Sequence, residues 1–519
     1  MPSRTKRPKL LQSVPPHQRL ARLTAFTVLL FILSAILLIA AVSIAIVAVR
    51  YPPDPTADLP LDVDFRIVLL ALGATVIFAL GIAAAIIAAE LRVGVQVLST
   101  RTTDLPTRLP ATRRARQLIA NRMRGIDDAP RVLPSALERV PTTAIPTLDA
   151  HGHTTAHITT LIPAHNEQAI IADALAALRA QTRVPDRIIV VADNCTDDTV
   201  AIARGLGVEV VETVGNTEKK AGALNFMLAR ILPEITAEDA VLIMDADTIL
   251  GERFVESAAE RLEKDAELIA VGGVFYGEEG FGLIGQLQRN EYVRYARHIG
   301  RRKGRVFVLS GTASIIRGYA LRTVAESRGT LLPGRAGDVY DTVALTEDNE
   351  LTLALKTLGA KMLAPQDCKT VTEVMPDWNA LGRQRLRWQR GALENLGAYG
   401  MTRTTASYWG QQFGIAWGTI ALNAYFVLLL VTIAAADEFA ISTFWAVVGL
   451  IFMVERVVTV WDGGWRARLI AATLVIELVY SLFLQWIFIR SLFGIALRTD
   501  AGWNTVIRQS DTPTTEGAP

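Results

Sequence analysis

The sequence predicts an α/β domain inserted between membrane-crossing helical segments, and three observations predict it. Long apolar runs crowd the two ends of the 519-residue chain, while the middle carries the charge of an ordinary globular domain. Within that middle, short apolar strands alternate with segments of helical period. Acidic residues then stand just beyond the ends of two of those strands. The hydrophobic share of 51% and a mean hydropathy of +0.31 exceed what a soluble domain shows. A formal net charge of +2 gives no reason to expect a nucleic-acid partner. Cys195 and Cys368 are the two cysteines, too far apart in sequence to suggest a disulfide scaffold or a structural zinc site.

Residues 23–49 and 67–89 are free of charge, and a bilayer span needs about 20 apolar residues. The first run is too long for a cleaved signal peptide and has no small-residue cleavage site behind it. Arg4, Lys6, Arg7, Lys9, Arg19 and Arg22 precede it, whereas Asp54, Asp58, Asp62 and Asp64 lie between the two runs. Positive charge stays inside, so the expected topology is a multi-pass protein of the cell membrane with its catalytic domain cytoplasmic. Asp58 then faces outside and Thr346 the cytoplasm. Three further apolar runs, residues 413–435, 441–460 and 469–497, close the chain. The last is long enough to bend, and the side of the C-terminus stays open. Glu455 and Arg456 read as a helix-end anchor ahead of a part in a polymer channel. The expected division is 1–90 tail and two membrane helices, 91–156 basic linker and 157–375 catalytic domain. After these come 376–411 amphipathic interfacial helices, 412–497 about three membrane helices, and 498–519 tail. The linker holds Arg113, Arg114, Arg116, Arg122 and Arg124, which suit anionic headgroups, a plain linker or an arm on the domain. His151, His153 and His157 near its end lack the Cys or carboxylate partners of a metal site.

Residues 157–163 read as a strand, followed by a helix with Ile170, Ile171, Ala174, Leu175 and Leu178 on one face. Residues 188–192 are continuously apolar, as a strand covered on both faces requires. Asp193 ends it, and Thr196 is placed to cap a short helix that stops at Gly205. A strand over 208–211, a helix over 219–232 and a buried strand over 240–244 follow. Asp245-Ala246-Asp247 stands at the carboxyl end of that last strand, where open α/β sheets bind ligands. Carboxylates two residues apart on extended backbone point the same way and suit a hard divalent cation, Mg²⁺ or Mn²⁺, completed by water and a diphosphate. No Lys or Arg is expected beside the pair, so activity is expected to require the ion.

These motifs resemble the family 2 glycosyltransferases of the GT-A (Rossmann-like) fold. The resemblance runs from Leu161-Ile162-Pro163-Ala164-His165-Asn166-Glu167 through Asp193-Asn194, Lys220-Ala221-Gly222-Ala223-Leu224-Asn225 and Asp245-Ala246-Asp247. It continues in Ser310-Gly311-Thr312, Thr346-Glu347-Asp348 and Gln384-Arg385-Leu386-Arg387-Trp388. With flanking membrane helices, the chain looks like the processive branch that makes poly-N-acetylglucosamine, hyaluronan, chitin or cellulose. Lys219 departs from the pattern, since glycine is common there, so the loop before Lys220 is open to a different hold.

The resemblance implies an inverting transfer from a nucleotide-diphosphate sugar, UDP-linked by expectation, to a growing polysaccharide. Asp193 would meet the base or ribose. Lys220, Gln384 and Arg387 would approach the diphosphate, and Asp245 with Asp247 would hold the metal. Asp348 would be the general base. Ser310, Gly311, Thr312, Glu347 and Trp388 would line the acceptor. On the residues alone, Glu347 and Asp348 are equally an acidic helix start. Residues 378–396 are equally an interfacial helix. Of the basic residues of 286–303, Arg289, Arg294, Arg297, Arg301, Arg302 and Lys303, most read as solvated or headgroup-facing rather than catalytic. A glycolipid acceptor and an inactive assembly or transport subunit are the alternative functions, and an accessory subunit is compatible with each.

Overall fold

The computed structural model describes residues 157–236, 239–435 and 443–497, together with 28–40 and scattered positions among 25–81. The run at 67–89, the linker 91–156 and the tail 498–519 thus lie wholly or largely outside the described residues. The chain divides into two compact units. One is Met1–Ala111, Tyr408–Ala440 and Leu492–Thr499; the other is Thr112–Ser407, Ile441–Ser491 and Asp500–Pro519. In the first, Ser34 Oγ donates to the Ala74 carbonyl at 2.8 Å, and the Phe31 and Phe493 rings lie 4.6 Å apart.

The second unit is built on a seven-stranded sheet. Strands β1 (Ile158–Ala164), β2 (Arg187–Ala192), β3 (Glu209–Glu212) and β4 (Ala240–Met244) form where the apolar runs predict them. Helix α1 (Ile171–Arg179) buries Ile171, Ala174, Leu175 and Leu178, the stripe read from the sequence. Helix α2 (Thr199–Gly205) is not capped by Thr196. Thr196 N and Oγ1 both donate to Asn166 Oδ1, and Asp197 instead accepts from Thr199 N at 3.0 Å. After α3 (Lys219–Ile231) come β5 (Ile249–Leu250), α4 (Phe254–Lys264), β6 (Leu268–Gly272) and β7 (Val274–Gly277). Then follow α5 (Gly282–Arg301), β8 (Ala313–Arg317), α6 (Gly318–Ser327), α7 (Glu347–Thr357), β9 (Lys361–Leu363), β10 (Lys369–Thr372) and α8 (Trp378–Tyr399).

The sheet order is β3-β2-β1-β4-β8-β6-β9, beside a smaller sheet β5-β10-β7. β1 to β4 are parallel, whereas β8 runs antiparallel to both β4 and β6. The strand order reverses between β1 and β4, which opens a crevice at their carboxyl ends. Every residue of β4, β6 and β8 is buried, because helices cover both faces.

The closing helices are α9 (Ala406–Ala435), α10 (Thr443–Thr459), α11 (Gly464–Ala472) and α12 (Val475–Leu497). The run at 469–497 is therefore two helices, broken near Leu474, whose φ is +50°. Among the described residues, Val475–Leu497 is the one helix long and apolar enough to cross a membrane, and Val28–Ala40 is a shorter apolar helix. Arg294 does not face solvent or headgroups. Its guanidinium lies 2.6 Å from Glu477 on α12, a residue only 3% exposed, because a carboxylate buried in an apolar helix demands a partner. Arg289 also turns inward, donating to the carbonyls of Glu278 and Gly280. Arg301, Arg302 and Lys303 are exposed.

Candidate active site

Asp193 follows β2 and is buried. Its Oδ1 accepts from Thr213 Oγ1 at 2.6 Å, Asn216 Nδ2 at 2.9 Å and Asn194 Nδ2 at 3.2 Å. Three donors on one oxygen fix the carboxylate and leave Oδ2 outside those bonds. Lys219 takes φ +57°, the left-handed backbone that glycine adopts freely. The departure at this position therefore keeps the turn, and α3 starts with Lys220 directed at the end of β4.

There Lys220 Nζ lies 2.6 Å from Asp245 Oδ1 and 3.0 Å from Glu347 Oε1. This corrects the expectation that no cation stands beside the aspartate pair. It also gives Glu347 a partner other than the helix start, since Thr346 is the N-cap and makes no side-chain cap bond. The structure joins β4 to the Ser310-Gly311-Thr312 turn through Asp245 N, which donates to Thr312 O at 3.0 Å. Gly311 N donates to Asp348 Oδ2 at 3.2 Å, and a Cβ at Gly311 would sit 3.1 Å from that oxygen. A glycine is what lets the turn approach Asp348.

Burial and the neighbouring Glu347 carboxylate push Asp348 up to about 6. Burial, then Asp245, Glu373 and Glu167, hold Asp247 well above the ordinary carboxylate range. Glu347 moves the other way, below the usual range: burial raises it, but the Lys220 charge and hydrogen bond, its own backbone N–H and the Arg387 charge together outweigh that cost. Asp247 thus sits in an excess of negative charge, with a bond from Thr248 Oγ1 at 3.2 Å. That surplus and the all-oxygen donor set fit a hard divalent cation. Among the described residues no three His, Cys, Asp or Glu side chains group as metal ligands, so an ion here would draw further ligands from substrate and water.

Helix α8 docks on the start of α7. Asn395 Nδ2 donates to Thr346 O and Oγ1, both at 3.2 Å, and to Asn349 Oδ1 at 3.1 Å. Gly391 permits the approach, because a Cβ there would meet Thr346 Oγ1 at 2.5 Å. Arg387 is an electrostatic neighbour of both Glu347 and Lys219. Gln384 and Trp388 are engaged by Arg385: its Nη1 donates to Gln384 Oε1 at 2.9 Å, and its guanidinium lies 4.2 Å from the Trp388 ring centre.

Sequence reasoning passed over several participants. Asn225 accepts from Val339 N and Tyr340 N and donates to Tyr340 O, which pins the loop that delivers Glu347 and Asp348. Tyr340 itself lines a small cavity with Lys220, Gly311, Glu347 and Asp348. Asn225 was visible as the last residue of the lysine motif. Glu373 and Tyr340 carried no signal, being brought in by β10 and an irregular loop.

A doubly wound sheet with acidic groups on the ends of β2 and β4 has the form of a GT-A glycosyltransferase. Residues 159–324 match glycosyl transferase family 2, so the chain carries a family 2 glycosyltransferase domain and is a glycosyltransferase. A relative described as probable glycosyltransferase YdaM of Bacillus subtilis (strain 168) is 27% identical over 326 residues, covering 58% of this chain and 73% of the relative. The mannosyltransferase PcManGT of Pyrobaculum calidifontis, solved with GDP-Man and Mn²⁺, aligns with TM-score 0.41 and 15% identity over 71% of this chain and 92% of its own. Glucosyl-3-phosphoglycerate synthase of Mycobacterium tuberculosis, solved with Mn²⁺, UDP and phosphoglyceric acid, aligns with TM-score 0.32 and 20% identity over 47% and 79%.

Proposed function

We propose that the chain moves a sugar from a nucleotide-diphosphate sugar, UDP-linked, to a growing polysaccharide with inversion at the anomeric carbon. Asp348 takes the proton of the attacking hydroxyl. The observation that carries this reading is its setting: a carboxylate pushed to about 6, against the Gly311 turn and beside the Lys220 cluster. A base tuned towards neutrality transfers protons more effectively than an ordinary aspartate. Asp193 holds the nucleoside, and Lys220 and Arg387 hold the diphosphate. Asp245 and Asp247 would hold a Mn²⁺ or Mg²⁺ ion, which supplies charge neutralisation for the departing nucleoside diphosphate. The absence of a second carboxylate assigned as nucleophile favours single displacement.

The same proposal places residues 157–375 in the cytoplasm, between membrane helices of a multi-pass protein that exports its product. The amphipathic stretch 378–396 supplies the acceptor floor at Trp388. Incubating the full chain in lipid with a panel of nucleotide-sugars, with Mn²⁺ or Mg²⁺ and with chelator, then sizing the product, tests it. A polymer made only with the ion is the expected result. One or two sugars on a lipid would replace the polymer by a glycolipid acceptor, and full turnover in chelator would remove the metal.

A further inference from the structure

The bonds around α8 lead away from the reacting groups and towards α12. Arg385 is 5% exposed, and a buried guanidinium needs a counter-charge. Glu291 on α5 provides it: Oε2 accepts from Arg385 Nη2 at 3.0 Å and from Tyr480 OH on α12 at 2.6 Å. One carboxylate oxygen thus ties three helices together. The apolar seam beneath is continuous, with Leu287, Leu381 and Tyr480 in one buried cluster. A second tie follows one turn away. Arg294 meets Glu477 at 2.6 Å, three residues on along α5 and three residues back along α12. Two charged rungs in antiparallel register fix α12 against α5, and a slip of α12 by one turn would unpair both.

What Arg385 holds on its other side gives the arrangement a use. Its Nη1 takes Gln384, and its plane lies over the Trp388 ring. We propose that Arg385, clamped by Glu291 and Tyr480, is a positioning residue that sets the orientation of Gln384 and Trp388, so that α12 governs the geometry of the acceptor floor. This rests on the reading of Trp388 as that floor.

The test uses the full chain in phospholipid nanodiscs, labelled with fluorotryptophan, with the Trp388 fluorine signal assigned by its loss in Trp388→Phe. Glu291→Gln removes the counter-charge, and Tyr480→Phe removes one bond while leaving the ion pair, so it remains readable if the first variant folds poorly. Both are expected to shift or broaden the Trp388 signal, Glu291→Gln more, with Glu291→Asp restoring part of it. Turnover should fall about 10- to 100-fold in Glu291→Gln, as for a misplacement on the scale of an ångström. A Trp388 signal that superposes on wild type in both variants overturns the proposal. A moved signal with unchanged turnover leaves the clamp standing and removes Trp388 from the acceptor site instead.

Discussion

Glu347, Asp348 and Glu350 share the first turn of α7, where the helix dipole favours acids, yet they face two different charge clusters. Glu350 meets a forked partner: Arg328 Nη1 and Nη2 lie 2.5 and 2.7 Å from its two oxygens, and Tyr399 OH donates to it at 2.5 Å. Arg328 also donates to the carbonyls of Pro333 and Val339. The pair's side chains are 0% and 2% exposed, and the charge is compensated. Around Lys220 the balance is reversed, with one ammonium against Asp245 and Glu347 and with Asp348 and Asp247 raised by like charge and burial. A compensated cluster is scaffold: it pins the loop between α6 and α7. An uncompensated one is held ready for a ligand that brings the missing charge.

The sharpest way to break this contrast is Glu350→Gln. Breaking a buried ion pair from one side costs about 3–5 kcal/mol, so denaturant melts of the full chain should show a loss of that size. An unchanged midpoint would make Glu350 no scaffold. Lys220→Met is the mirror experiment. Removing a preorganised charge from a reacting centre costs roughly 100-fold in turnover, and initial rates should show that with a much smaller change in stability.

The pH profile sharpens the comparison further. A base raised to about 6 is protonated and inactive below that value, so turnover should fall as pH drops through about 6. Glu347→Gln, by removing the like charge, should move that acid limb to lower pH. Measuring both profiles at one ionic strength decides it, and coincident limbs would dissociate Glu347 from the tuning of Asp348. The smallest effect belongs to Tyr399→Phe. It deletes one buried bond to the charged Glu350, worth about 1.5–3 kcal/mol in a melt, and should leave turnover as it was.

The two halves of the sheet differed in how far their sequence could be read. β1 to β4 are parallel and joined by helices, so each shows as an apolar run followed by a helical period, and Asp193 and Asp245 could be placed on strand ends. β8 lies between β4 and β6 but runs against both, and nothing in a short apolar run encodes direction. β5, β7 and β10 are two to four residues long, too short for alternation to register. Lys220 beside Asp245 escaped notice because 25 residues separate them and α3 supplies the approach. The Arg294–Glu477 pair is not legible in the sequence, because Glu477 is a lone acid in an apolar run and a helix pattern alone does not reveal what faces it.

The most direct test of the account is Asp348→Asn, scored for turnover, donor binding and melting together. The amide keeps an oxygen for Gly311 N but cannot take a proton, while Asp193, Lys220 and the Asp245–Asp247 pair are untouched. The account predicts a loss of roughly 10²–10⁴-fold in sugar transfer, with donor binding and the melt near wild type. Retention of more than about a tenth of wild-type turnover, outside that range, or loss of donor binding in its place, would contradict the assignment of Asp348 as the base.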